Sequence, residues 1–277
     1  MKCLICSKFC LATLCDDCLD SIPLQPSVRE VNGIRVYCFF AYSDIDFLLK
    51  SKYYAIGSKI YSALGKIAGE YFFGTMGRAS ADLASHFDRI NIIGIDDCVR
   101  SFYSHTGVLV REFARAGKKS RKKTNNAQKT CNIKPIYGEL KATNQVSYAG
   151  KSLAFRQANK RGLRLSDRIL KSIKSRLDSS DNTNLLKNIA KKIDFANNDF
   201  IKNNFSKSNF AKQVFNALDF FALDLKKLAK QQNPKSSAII IVDDIITTGT
   251  SFGEAIEVCQ KENLQVLFCL CLCNAAL

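Results

Sequence analysis

The residues best equipped for chemistry lie in one short run, AIIIVDDIITTGTS at positions 238–251. Five apolar residues, Ala238 to Val242, meet two adjacent carboxylates, Asp243 and Asp244, and two more apolar residues lead into Thr247, Thr248, Gly249, Thr250 and Ser251. The apolar run reads as a buried strand, the hydroxyl run around Gly249 as a loop, and the amphipathic stretch from Phe252 to Lys261 as a helix. Strand, loop and helix start form a geometry that grips phosphate. Successive N–H groups and hydroxyls surround the anion, and the positive end of the helix dipole faces it. Gly249 is expected to let the backbone come close to the ligand. Carboxylates at the carboxyl end of a strand stand where open α/β sheets bind ligands, and they suit sugar hydroxyls or a divalent metal. A P-loop NTPase would need G-x-x-x-x-G-K-[ST] upstream. The candidate Gly150-Lys151-Ser152 has Gln145 in place of the first glycine and no buried strand before it.

A second set of ligating residues opens the chain. Cys3-x-x-Cys6 and Cys15-x-x-Cys18, eight residues apart, have the spacing of a four-thiolate zinc site. Few apolar residues surround them, so a bound metal would supply much of the local folding energy. Two disulfides would use the same spacing. Met1-Lys2-Cys3 lacks an apolar export segment, so a cytoplasmic location is expected, and a reducing compartment favours zinc. Near the other end, Cys269, Cys271 and Cys273 alternate along an apolar run, which predicts a shared face on a buried strand where cysteine acts as a small hydrophobe.

The carboxylate–hydroxyl segment resembles the signature of the type I phosphoribosyltransferases. With the four-cysteine opening, it makes the chain similar to the ComF (ComFC-like) family, phosphoribosyltransferase-related factors of bacterial natural competence. Two other stretches carry the resemblance. Ile90–Asp97 leads into Val99-Arg100-Ser101-Phe102-Tyr103-Ser104-His105-Thr106, similar to an R-G-F-N-Q stretch with Ser104-His105 where Asn-Gln is usual. Ser147–Lys151 leads through to Arg156-x-x-Asn159-x-Arg161, similar to an R-x-x-N region. Many family members carry more amino-terminal cysteines than these four.

The resemblance implies an α/β fold, a parallel sheet of the type I phosphoribosyltransferase kind flanked by helices. A zinc module would occupy 1–24 and the phosphoribosyltransferase-like domain 25–277, with a helical insertion at 163–235. The implied ligand is phosphoribosyl pyrophosphate (PRPP) or a ribose 5-phosphate with Mg²⁺. Asp243 and Asp244 would be the catalytic pair, on ribose hydroxyls directly or through Mg²⁺. Thr247, Thr248, Gly249, Thr250 and Ser251 would wrap the 5′-phosphate, and Arg100 would meet the pyrophosphate. Asp96 and Asp97 at the start of that loop are unfavourable to an anion. The implied setting is DNA uptake in natural transformation, with single-stranded DNA and a competence helicase as partners. The alternative is an active phosphoribosyltransferase serving an unidentified acceptor in nucleotide metabolism.

With 277 residues the chain has room for one large or two small domains, and no apolar run approaches a membrane span. Its net charge of +16 points to a polyanionic partner such as nucleic acid. That charge gathers in Lys118–Lys123 (KKSRKK), around Lys151–Arg168, and in lysines from 171 to 235 that read equally well as a solvated face. Periodicity predicts a strand over Val31–Tyr42, one or two helices over Ile45–Phe73, a strand over Ile90–Ile95 and a helix over Thr106–Ala116. Residues 117–162 read as a basic, loop-rich region able to close over a ligand. Residues 163–235 carry helical periodicity broken by polar linkers, and Ala238–Val242, 252–262 and Gln265–Cys273 read as strand, helix and strand.

Overall fold

The fold is taken from a computed structural model that describes residues 2–75, 87, 89–96, 103–123, 132–144, 146, 148, 151–174 and 237–275. Seven strands make one sheet: β1 (Ser27–Val31), β2 (Ile34–Ala41), β3 (Arg89–Asp96), β4 (Asn132–Ala142), β5 (Leu163–Leu165), β6 (Ser237–Ile246) and β7 (Gln265–Asn274). Their order is β1-β2-β7-β6-β3-β4-β5. The five strands from β2 to β4 run parallel, and β1 and β5 pair antiparallel at the two edges. The continuous apolar runs of β3, β6 and β7 are what a parallel sheet covered on both faces demands.

Helices cover both faces. On one, α2 (Tyr42–Leu49), α3 (Gly57–Thr75) and α4 (His105–Lys123) bury Ile45, Ile60, Leu64, Leu109 and Phe113 against Ile92, Ile240 and Leu270. On the other, α7 (Thr250–Lys261) buries Phe252, Ala255 and Ile256 against Ile93, Ile239 and Ile241. Three shorter α-helices, α1 (Asp16–Asp20), α5 (Leu153–Ala158) and α6 (Asp167–Lys174), and a 3-10 turn at Lys50–Tyr53 complete the described elements. The chain leaves β3 through α4 to β4 on one side, and leaves β6 through α7 to β7 on the other. β3 and β6 are neighbours, so a topological switch point opens at their carboxyl ends, where such sheets bind ligands.

Several expectations need correction. The strand expected over Val31–Tyr42 is split at Asn32-Gly33, whose φ values of 50° and 75° make the tight turn of the β1–β2 hairpin. Tyr42 opens α2 instead. The basic run 118–123 does not begin a loop that closes over a ligand, because α4 continues to Lys123. Lysine and arginine are good helix formers, and the turn is tied to α3 by Lys119 Nζ on Glu70 at 2.8 Å and by the Ser120 hydroxyl on the Phe73 carbonyl. Within the supposed loop region lies β4, whose alternation is blurred by Pro135 and by a register shift near Gly138. The stretch taken as the start of an insertion, Leu163–Leu165, is a sheet strand paired to β4, and Ile169 of α6 is buried in the core. Residues 175–235 of that insertion lie outside the described residues. Cys269 and Cys271 share the α7 face, whereas Cys273 at the end of β7 packs with the opposite cluster. Among the described residues no helix is long and apolar enough to cross a membrane.

Candidate functional site

Asp243 and Asp244 are both buried, at 6% exposure, at the carboxyl end of β6. The backbone N–H of Asp244 donates to Asp243 Oδ1 at 2.9 Å. Three elements distant in sequence converge on Asp244 Oδ2. Lys52, from the 3-10 turn after α2, brings Nζ to 3.2 Å; Tyr61, on α3, donates its hydroxyl at 3.1 Å; His105, the first residue of α4, brings Nε2 to 3.4 Å. Burial opposes ionisation of Asp244. The Lys52 ammonium, then His105 and the hydrogen bonds from Lys52 and Tyr61, outweigh it and hold the carboxyl below the ordinary carboxylate range. Asp244 in turn pushes the Lys52 ammonium upward, and burial raises the Tyr61 phenol far above its usual value.

The loop beside this pair is shaped by Gly249, which N-caps α7 in the left-handed region at φ 81°. A side chain on Gly249 would strike Val31 Cγ2 of β1 at 2.9 Å. The glycine therefore serves the cap and the hairpin packing. Thr248 and Thr250 exchange a hydroxyl contact at 2.9 Å. Two arginines hold Thr247: Arg29 of β1 donates to its carbonyl and Arg156 of α5 to its hydroxyl. Tyr148 organises this side of the cleft. Its ring lies 5.8 Å from the Arg156 guanidinium and 4.7 Å from that of Arg161, and its hydroxyl donates to the carbonyls of Arg156 and Asn159. Buried Glu254 of α7 accepts from the amides of Arg161 and Leu163, fixing the chain as it enters β5. Lys52, Tyr148, Arg156, Arg161 and residues 243–252 thus line one cleft. Basic groups face a helix start, and two carboxylates lie beside them. Such a set can take an anion that also carries hydroxyls.

Asp96, at the end of neighbouring β3, is different. It accepts from the Ser104 hydroxyl at 2.6 Å, the Thr106 hydroxyl at 2.8 Å and the Gly138 amide at 2.9 Å. Ser104 also accepts from the Gly107 amide and so caps α4. The carboxylate that looked adverse to an anion therefore ties β3, α4 and β4 together. Asp97 and Arg100 lie outside the described residues.

The four amino-terminal cysteines bring their sulfurs within 4.8 Å of one another. Cys6 and Cys15 sulfurs are 3.6 Å apart, and the Cys15 amide donates to Cys3 Sγ at 3.3 Å. Tetrahedral Zn–S bonds of about 2.3 Å set sulfurs about 3.8 Å apart, so the cluster fits a four-thiolate ion. Amides of Cys6 and Cys15 lower the Cys3 thiol to about 6, while the neighbouring Cys15 thiol and burial raise that of Cys18. Cys3, Leu14 and Cys18 join the core on the α3–α4 face, so the cluster is packed against the sheet domain.

His105, Asp243 and Asp244 also gather ligand atoms within 4.8 Å, but the set does not fit Mg²⁺. Mg²⁺ favours octahedral oxygen at about 2.0–2.1 Å. Here one ligand is an imidazole, and Asp244 Oδ2 already serves an ammonium and a phenol.

Sequence reasoning singled out Asp243, Asp244 and 247–251, and the fold brings Arg156 and Arg161 beside them. It missed Lys52, Tyr61, Tyr148 and Arg29 as site residues, and met His105 only as a departure from a motif. Lys52 and Tyr61 stand 192 and 183 positions from Asp244, with no local pattern linking them. His105 offered one faint signal, being one of two histidines in the chain and beside a capping serine. No model of a known protein family matches the chain, and no curated protein matches it.

Proposed function

We propose that the chain is a ComF-like protein of the phosphoribosyltransferase kind that binds PRPP or a ribose 5-phosphate in this cleft. The observation that carries this reading is the convergence of a hydroxyl-rich helix start, two buried carboxylates and Arg156 and Arg161 at the switch point of a parallel sheet. The 5′-phosphate sits on the amides and hydroxyls of Thr247–Ser251, with Arg156 holding Thr247 in shape. Ribose hydroxyls donate to Asp243 and Asp244. Lys52 and Arg161 line the cleft on the side where a pyrophosphate would lie, with Arg100 as the further cation the sequence resemblance suggests. The four cysteines hold a structural zinc ion. The resemblance suggests a cytoplasmic role in DNA uptake during natural transformation, with single-stranded DNA and a helicase as partners. The net charge of +16 suits such a polyanion.

Calorimetry on the full-length protein tests the ligand. PRPP, ribose 5-phosphate and sulfate should compete for one site. Asp243→Asn with Asp244→Asn should weaken the two sugar ligands by about tenfold or more while sulfate still binds. An absence of heat and of competition for all three would refute the assignment. Release of pyrophosphate in the presence of a panel of bases then distinguishes an active transferase from a binding protein.

A further inference from the structure

We infer that this cleft holds its anionic ligand without a divalent cation, the Lys52 ammonium on Asp244 supplying the positive charge that Mg²⁺ supplies in the enzymes the chain resembles. The ligand's identity rests on the phosphoribosyl reading; the metal arm of the test below does not.

The geometry at Asp244 carries this. Its Oδ2 accepts from Lys52 at 3.2 Å and from Tyr61 at 3.1 Å, and His105 Nε2 stands 3.4 Å away, so a metal approaching this oxygen meets an ammonium, a phenol and an imidazole already in place. Lys52 and Asp244 side chains are 20% and 8% exposed, so the pair sits largely out of water, where like charges repel strongly. A Mg²⁺ ion on that oxygen would stand beside the ammonium. It would have to expel Lys52 into solvent or share one carboxylate with it. Lys52 is also anchored at its backbone: it lies in the 3-10 turn that joins α2 to α3, and both helices pack on the sheet. An ammonium has three N–H donors. Asp244 takes one of them, and the residue lines the cleft beside Thr247–Ser251. His105, Asp243 and Asp244 would suit a borderline transition ion better than Mg²⁺, but such an ion would also require Lys52 to leave.

Mn²⁺ binding followed by electron paramagnetic resonance tests this on zinc-replete full-length protein, with Mn²⁺ as the probe. Wild type should bind no more Mn²⁺ than the Asp243→Asn protein. Lys52→Met should gain a site, because it frees Asp244. Lys52→Gln is the second variant should Lys52→Met not fold, and the wild-type comparison decides without either. In parallel, wild-type affinity for PRPP in EDTA should stay within about threefold of its value in Mg²⁺. The Lys52→Met protein should lose about tenfold or more in EDTA and recover with Mg²⁺. Stoichiometric Mn²⁺ on wild type that Asp243→Asn or His105→Ala removes would overturn the inference. So would a wild-type affinity that collapses in EDTA while the protein's zinc content stays unchanged. Failure of every sugar phosphate and of sulfate to bind in either buffer would instead refute the phosphoribosyl reading, and the Mn²⁺ result would still decide the question of the cation.

Discussion

Two clusters in this molecule bring ligating atoms within 4.8 Å of one another, the thiols of Cys3, Cys6, Cys15 and Cys18 and the set of His105, Asp243 and Asp244. By distance alone they look alike. They differ in what already balances their charge. Backbone amides of Cys6 and Cys15 lower the Cys3 pKa to about 6, which favours a thiolate, and no ammonium or guanidinium is paired with the sulfurs among the described ion pairs. The carboxylate cluster has its cation built in, because Lys52 sits 3.2 Å from Asp244. Proximity of ligands is therefore a poor guide to a metal site until the neutralising groups are counted. One cluster is a set of four thiols that could hold a metal ion such as zinc, and the other contains a completed ion pair.

The largest expected effect breaks the cysteine side of this contrast. Structural zinc contributes about 10–16 kcal/mol of binding free energy in small zinc modules, most of it used for folding. Removing it should open residues 1–24 and uncover the core positions filled by Leu14 and Cys18. Metal analysis should find one zinc per chain, and Cys15→Ser should lose it. That protein should be cleaved near its amino terminus by low protease while the wild type resists. A chelator should reproduce the cleavage without weakening sulfate binding in the cleft. Metal-free wild type with full protease resistance would erase the distinction between the clusters.

Next in size is the ion pair. Breaking a buried pair costs about 3–5 kcal/mol, and the part-exposed Lys52 can recover some hydration, so Asp244→Asn should destabilise by about 2–3 kcal/mol in urea unfolding. The pair also fixes a pH dependence. The folded pKa of Asp244 is depressed below an unfolded value of about 3.9. Its contribution is therefore present above about pH 4 and lost as pH falls through the folded value. The folded pKa of Lys52 is raised, so its contribution is present below about pH 10 and lost as pH climbs through the folded value. The pair's contribution should be flat between these limits and fall on both sides. Lys52→Met should remove the alkaline fall and shrink the acid one. Unchanged limbs in unfolding measured across pH would show that the pair contributes little.

The same contrast marks what could be read in the sequence. The parallel core strands and the hydroxyl-rich turn from strand to helix are local patterns, and Ala238–Ser251 declared both. Two runs, Ile-Gly-Ile-Asp at β3 and Ile-Val-Asp-Asp at β6, end alike in carboxylates. Only the fold separates them: Asp96 is sealed by two hydroxyls and an amide, whereas Asp244 pairs with Lys52 on the lining of a cleft. β4 and β5 escaped notice because an edge region with Pro135 and Gly138 lacks clean alternation, and a three-residue strand has almost none. The length of α4 was misjudged because its last turns carry charge in place of apolar periodicity.

The smallest effect sharpens this pairing at two glycines, one in each carboxylate's neighbourhood. Gly138, whose amide binds Asp96, has φ +66°; Gly249, beside the Asp244 loop, has φ +81°. A non-glycine residue in the left-handed region costs about 1–2 kcal/mol, so both Gly→Ala changes should destabilise. They should not do so equally. An added Cβ at Gly138 meets Lys141 Cε at 3.5 Å, an ordinary contact with a flexible chain. At Gly249 it meets Val31 Cγ2 at 2.9 Å, and Val31 is held in the β1–β2 hairpin. Gly138→Ala should therefore cost about 1 kcal/mol and Gly249→Ala about 2 kcal/mol or more, read as shifts in urea midpoint at constant slope. Val31→Ala should recover part of the loss in Gly249→Ala and none in Gly138→Ala. Equal costs, or no recovery with Val31→Ala, would mean that the hairpin does not press on the loop and that Gly249 is required for its φ alone.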